Sequence, residues 1–254
     1  MLPRERQIEI VRIVNRKGTV KTTELAEQLH CTEETIRRDL DFLEKEKKVV
    51  RSHGGAMSIQ DTYEELQHHK RESREVAEKK MIGYVAASYI KEGETIFIDE
   101  SSTALAMIEY LPLDIKFNLF TNSLLVAKRV TSKKNINLYL LGGAYDETCF
   151  SFGGYLAEES MKQVSVDRFF FSCKGLDQYF GASEVNEERA RLKKSLLKSA
   201  SWKCALADHT KLGLKARFSF MLPQQIDLVI TDEGACAESI SSFNKAGVKV
   251  DIKS

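Results

Sequence analysis

GTVKTTELAEQLHCTEETIRRDLDFLEKEKKVVRSHGGA, residues 18–56, divides at its polar and glycine punctuation into two short helices and a basic hairpin. Thr22 or Thr23 is suited to cap a helix over 24–29, whose Leu25, Ala26 and Leu29 point inward. His30-Cys31 breaks it. Thr32 then caps a helix from Glu33, with Ile36, Leu40 and Leu43 on a single stripe. Just upstream, Ile8, Ile10, Val11, Ile13 and Val14 have helical spacing, and Lys17-Gly18 ends that first helix.

Arg38 projects about 160–200° from the Ile36/Leu40/Leu43 stripe at about 100° per residue, flanked by Thr35 and Arg37. A helix-turn-helix uses this geometry: one face packs on the preceding helix, while the start of the opposite face enters the major groove. Arginine grips guanine bidentately, and threonine exchanges hydrogen bonds or touches a thymine methyl. Lys45, Lys47, Lys48 and Arg51 then surround the β-prone Val49-Val50, with Ser52-His53-Gly54-Gly55 as a turn. That is a wing, whose cations lie along the phosphate backbone. The expected DNA-contacting residues are Thr22, Thr23, Thr32, Thr35, Arg37, Arg38, Lys47, Lys48, Arg51 and His53.

Bulk charge adds little, at +1 for 254 residues, and residues 1–56 hold 12 Lys/Arg against 10 Asp/Glu. Phosphate contact depends on where cations sit rather than on their total. No apolar run approaches the roughly 20 residues of a membrane span, and the charged N-terminus lacks the apolar core of a signal peptide. The reading is cytoplasmic. Cys31, Cys149, Cys173, Cys204 and Cys236 are dispersed singly, which argues against disulfides and against a zinc site. Residues 57–78 are polar and charged. The neighbouring His68 and His69 diverge on any regular element, so a solvated linker is expected rather than a metal site.

From Lys79 onward, strands alternate with helices. Strands are expected at Thr95–Ile98, 117–120, 136–141, Val166–Phe171, 203–207, 227–230 and 248–252, with helices at 81–90 and 187–201. This grammar describes a mostly parallel α/β sheet covered on both faces, where ligands bind beyond the carboxyl ends of the strands. The residues there are polar or small. Asp99, Ser101, Ser102 and Thr103 follow the first strand and open a helix, as a phosphate cradle does. Thr121 and Asn122 follow the second, Gly142 and Gly143 the third, Lys174 and Gly175 the fourth, and Asp208 and Lys211 the fifth.

The motifs "TIRRDL…LE…R..HGGA", "IFIDESST", "TNS", "LGG", "SFGG", "KGL" and "DHTKLG" resemble those of DeoR-type bacterial regulators over residues 1 to about 235. The resemblance implies a winged helix-turn-helix over 1–57, a linker over 58–78 and an α/β effector-sensing domain over 79–254, similar to sugar-phosphate isomerases. It further implies a repressor of carbohydrate genes that binds a double-stranded operator as a homodimer or higher homo-oligomer, and responds to a phosphorylated sugar. No cofactor, metal or membrane is implied. Lys193 matches a lysine usual in the family. Lys47 stands where the family has glycine, and Arg189 where an acidic residue is common.

A second class of function is a sugar-phosphate isomerase or deaminase with a DNA-binding extension, using Asp99 or Asp208 as base and Lys211 as electrostatic stabiliser. Against it, His209 has no carboxylate partner at a readable spacing. A third, RNA binding, lacks aromatic stacking positions, since Phe42 is the one aromatic residue in 18–56.

Overall fold

The structure, a computed structural model, describes residues 3–17, 19–46, 48–52, 54–58 and 73–252. It comprises two compact units, Met1–Lys70 and Arg71–Ser254.

In the first unit, α1 (Pro3–Lys17), α2 (Thr22–Gln28) and α3 (Glu33–Lys45) enclose a core of Ile10, Ile13, Val14, Leu25, Leu29, Ile36, Leu40 and Leu43. Ile8 is exposed and takes no part in it. Thr32 caps α3 as expected, accepting from the Thr35 backbone N–H at 3.3 Å. The expected threonine cap of α2 is absent. That helix starts at Thr22 with Lys21 before it and no side-chain cap, because the Thr22 backbone N–H already donates to the Gly54 carbonyl at 2.8 Å. His30, at φ 51°, makes the left-handed turn between α2 and α3. The wing has three antiparallel strands rather than two. β1 (Thr19–Lys21), a strand without a sequence signal, pairs with β3 (Gly55–Ser58), which pairs with β2 (Val49–Ser52). Gly55 is needed there, since a Cβ on it would lie 2.1 Å from the Val20 carbonyl oxygen. The expected stop at Gly18 lies outside the described residues, as does most of the linker at 58–78, including His68 and His69.

A buried carboxylate ties α1 to α3. Asp39, on α3, accepts from Arg6 Nε at 2.5 Å and from Gln7 Nε2 at 3.0 Å. Asp39 thereby sets how the third helix is held against the first.

The second unit is built on a seven-stranded parallel sheet. Its strands are β4 (Thr95–Ile98), β5 (Phe117–Thr121), β6 (Ile136–Leu140), β9 (Val166–Phe171), β12 (Ala200–Leu206), β14 (Leu228–Thr231) and β15 (Lys249–Ile252). All seven expected strands are present, and their order is β15-β14-β12-β9-β4-β5-β6. Alternate residues of one strand feed two cores. Phe170 packs with Ile96, Ile98 and Leu206 on one face, and Phe169 and Phe171 with Phe97, Ala205 and Val229 on the other. The helices are α4 (Val76–Ala87), α5 (Ser102–Ala106), α6 (Leu124–Val130), α7 (Gly154–Met161), α8 (Glu187–Ser199) and α9 (Ala237–Lys245). The helix expected at 81–90 starts five residues earlier, and β12 starts at Ala200 rather than 203 because α8 stops at Ser199.

Two antiparallel additions were not foreseen: a hairpin of β7 (Ala144–Asp146) and β8 (Ser151–Gly153), and a sheet of β10 (Gly175–Asp177), β11 (Gly181–Glu184) and β13 (Phe218–Met221). Chain order reverses at β4. The chain runs from β4 through β5 to β6 on one side, then returns to β9 on the other. Such a reversal opens a crevice at the carboxyl ends of the strands beside it.

Candidate functional site

A buried polar cluster fills that crevice. Asp99 and Glu100 follow β4, Ser172 follows β9, Glu184 ends β11, and Lys193 reaches in from α8. The Lys193 ammonium lies 2.9 Å from Asp99 Oδ2, 3.5 Å from Glu100 Oε1 and 2.8 Å from Glu184 Oε1, and donates to the Ser172 carbonyl at 2.8 Å. Burial works against its charge, but the three carboxylates hold it well above the usual lysine value. Burial pushes the Asp99 carboxyl up despite Lys193. Burial acts on Glu100 in the same sense, yet Lys193, its own backbone and Asn122 hold it below the usual range. A buried ion pair survives only when its remaining hydrogen-bonding positions are met, and Asp99 also accepts from the Ser101 and Ser172 backbone N–H groups.

Lys211 forms a second centre beside the first. Its ammonium donates to Thr103 Oγ1 at 3.0 Å and to Ser172 Oγ at 2.9 Å, and lies 3.2 Å from Asp208 Oδ2. Unlike Lys193, Lys211 is partly exposed. Ser172 bridges the two lysines, with its carbonyl on Lys193 and its hydroxyl on Lys211. Next to this centre, His209 Nδ1 lies 2.8 Å from Asp232 Oδ1, and the His209 backbone N–H donates to Asp232 Oδ2. The expectation that His209 lacks a carboxylate partner is therefore corrected. Asp232 follows β14 just as Asp208 follows β12, so two neighbouring strand ends deliver the pair. Burial lowers the His209 pKa, but the Asp232 hydrogen bond and the charges of Asp232, Glu75 and Asp208 together outweigh it, leaving a net rise.

The other expected effector residues divide. Asn122 joins the cluster, donating to Glu100 Oε2 at 3.0 Å. Thr121 is buried and its hydroxyl accepts from the Ser123 backbone, closing the turn into α6. Ser101 is used internally, donating to Asp99 and capping Ala104, whereas Ser102, at the start of α5, is partly exposed. Gly143 makes the expected close approach, but to protein: at φ 144° its missing Cβ leaves room for the Gly153 carbonyl. Gly142 is exposed, with open space beside it. Gly175 packs against the Leu214 backbone, and the Lys174 side chain is exposed. Neither bonds to Lys193 or Lys211.

In the first unit, the side chains of Arg37 and Arg38 on α3 are 52% and 80% exposed. Arg37 lies 3.0 Å from Glu33 and Arg38 3.3 Å from Glu34, both on the same helix. Thr23 and Lys48 are exposed, and Thr35 is half-buried against Thr32, with the two hydroxyls 2.8 Å apart. Two expected contacts are drawn inward. Thr22 is buried. Arg51 lies 3.2 Å from Asp41 and donates to the Gly55 carbonyl at 2.9 Å, so it joins the wing to α3. Lys47 and His53 lie outside the described residues.

Residues 6–62 match the DeoR-like helix-turn-helix domain, and residues 74–233 match the DeoR C terminal sensor domain. The chain belongs to the DeoR family. The uncharacterized HTH-type transcriptional regulator YulB of Bacillus subtilis is 41% identical over 98% of this chain and 96% of its own length. The HTH-type transcriptional regulator GolR of Listeria innocua is 31% identical over 99% of both chains. The lactose phosphotransferase system repressor of Staphylococcus aureus is 31% identical over 90% of this chain and 91% of its own. These relatives are regulators, not enzymes. Among solved structures, ribose 5-phosphate isomerase A of Methanocaldococcus jannaschii aligns over 52% of each chain with a TM-score of 0.39 and 16% identity, too distant to carry a conclusion.

Within this DeoR-family sensor, the residues that sequence reasoning missed are Ser172, Glu184 and the acid at position 100. Glu100 sits inside the quoted "DESST", and the strand-end rule reaches Ser172 in "FFFSCKG". Glu184 lies on a strand too short for a periodicity signal. Among the described residues, no group of three or more His, Cys, Asp or Glu side chains is arranged to hold a metal ion, and no helix is long and apolar enough to cross a membrane.

Proposed function

We propose that this DeoR-family regulator represses genes of carbohydrate use in the cytoplasm, as a homodimer or larger homo-oligomer, and releases its operator when a phosphorylated sugar enters the sensor crevice. The observation that carries this reading is the pairing of two lysines of different character at the β4/β9 crevice. Lys193 is wholly enclosed by carboxylates, whereas Lys211 is partly exposed and held by neutral hydroxyls on two sides. Lys211, with Ser102 beside Thr103, suits an incoming phosphate, and the acidic residues around Lys193 suit sugar hydroxyls. The name of the Staphylococcus aureus relative supports a carbohydrate regulon.

On the DNA side, Arg37, Arg38 and Thr35 present the recognition surface, with Thr23 and Thr32 at its edge and Lys48 on the wing. Linkage requires that effector and operator weaken each other's binding by the same factor. The test is a thermal-shift panel of three- to six-carbon sugar monophosphates on the full-length chain, followed by operator release. At 100 times its dissociation constant a true effector stabilises by about 2.7 kcal/mol. A panel that neither shifts the sensor transition nor releases DNA refutes the reading.

A further inference from the structure

The lysine cluster adjoins, through the Asn122–Glu100 hydrogen bond, a cleft between the β7–β8 hairpin and α8, lined by Asn122, Tyr145, Asp146, Phe152, Glu188 and Arg189 among others. Asn122 sits at its base, 3% exposed, and its Oδ1 is a buried acceptor with no partner among the described residues. Turning the amide over does not help. Nδ2 donates to Glu100 Oε2 at 3.0 Å and to the Phe152 carbonyl at 3.2 Å, both of which can only accept from it. A buried acceptor left unpaired is costly, so the cleft asks for a donor from its occupant.

The charges say which donor. Asp146 and Glu188 line the cleft, with Glu100 behind Asn122 and 3.5 Å from Lys193, and the one cation among the lining residues, Arg189, already holds Asp146 at 3.0 and 2.7 Å and reaches Thr148 Oγ1 at 2.5 Å. A phosphate or carboxylate entering beside Asn122 therefore meets an acceptor and like charge. Tyr145 and Phe152, with ring centroids 5.5 Å apart, offer an apolar wall against which the C–H face of a sugar chain packs.

Building on the sugar-phosphate reading above, we propose that the cleft is a hydroxyl-only subsite that fixes the direction of the effector. The phosphate lies at the Lys211 end, and an uncharged, hydroxyl-bearing end donates to Asn122 Oδ1. Sugar monophosphates with a neutral far end are then ligands, while aldonate phosphates and sugar bisphosphates are excluded.

The experiment is titration calorimetry on the full-length chain with three sets of probes: aldose and ketose monophosphates of three to six carbons, 6-phosphogluconate, and fructose 1,6-bisphosphate. The best monophosphate should bind at least about tenfold tighter than either probe that carries an anionic group at both ends. Glu188→Gln, at an exposed position that lines the cleft, should narrow that ratio at least about threefold. Equal or tighter binding of the aldonate or the bisphosphate overturns the orientation and leaves the sugar-phosphate reading standing. A ratio unmoved by Glu188→Gln places the discrimination outside the cleft and overturns the assignment. If none of the probes binds, the sugar-phosphate reading falls and this orientation falls with it.

Discussion

Replacing Lys193 by methionine removes one charge and keeps the volume of the aliphatic stem. In the wild-type chain that ammonium stands 2.9, 3.5 and 2.8 Å from three carboxylates, and its side chain is 3% exposed. Breaking a buried pair by removing one partner typically costs about 3–5 kcal/mol, because the remaining charge is stranded. For a domain of this size each kcal/mol moves the midpoint by about 2–4 °C, so the sensor transition should fall by roughly 6–20 °C at pH 7.5. The loss should depend on pH. Without the cation, burial raises the carboxyl pKa values above their unfolded ones, and such groups gain stability as pH falls through the folded value. In the wild-type chain Glu100 is held low, so the stability it contributes is present at neutral pH and lost only in acid. Calorimetric scans of both proteins at pH 7.5 and 5.5 should therefore show a gap that narrows at pH 5.5. The raised His209 pKa is common to both proteins and cancels in the difference. A gap of the same size at both pH values means that packing, not charge, is lost. A gap below about 1 kcal/mol refutes the enclosed cluster altogether.

Asp39→Ala should lower the midpoint of the N-terminal unit, because Arg6 and Gln7 lose their shared acceptor. Hydrogen bonds to a charged group contribute about 1.5–3 kcal/mol, and scanning calorimetry showing no change refutes the clamp. Operator affinity should fall with it, although Asp39 is buried. Arg38→Ala should weaken specific operator binding by about 1–3 kcal/mol at fixed salt, whereas Lys48→Ala should weaken all sequences alike and reduce the salt slope by about one; gel-shift titrations across a salt series separate the two. Lys211→Ala should retain operator binding but fail to release DNA at effector concentrations sufficient for the wild type. Release at the wild-type concentration removes Lys211 from the pocket.

The parallel sheet was legible because its strands are apolar runs bounded by turn residues, and each of the seven was placed within three residues at either end. The small antiparallel pieces were not. Strands such as Gly175–Asp177 or Gly181–Glu184 are too short for a period to register, and their pairing depends on neighbours far along the chain. That is why Glu184 escaped notice. Its contact with Lys193 spans nine residues but requires β11 to exist. The strand-end rule found Asp99, Asn122, Asp208 and Lys211, since position along a parallel strand dictates which residues meet at the crevice. It was silent on which glycines face ligand and which face backbone. Gly143 and Gly175 read as ligand-approach positions and are filled by the Gly153 and Leu214 main chains. In the N-terminal unit, the exposure of Arg37 and Arg38 followed from helical phase, but the burial of Thr22 and the inward pairing of Arg51 did not, since the Arg51 partner Asp41 lies ten residues away across the hairpin entry.

The paired arginines and glutamates of the third helix bear on how a repressor finds its operator among millions of wrong sites. Arg37 with Glu33, and Arg38 with Glu34, leave the tip of that helix close to electrically neutral. Exposed pairs of this kind contribute about 0–1 kcal/mol each, so they yield readily to a guanine edge. They also blunt the helix's attraction to any phosphate backbone, on which non-sequence-specific affinity rests. A protein built this way sheds random DNA quickly and spends less of its time parked there. Its occupancy of the true site is raised by lowering the background, with no tightening of the cognate complex itself.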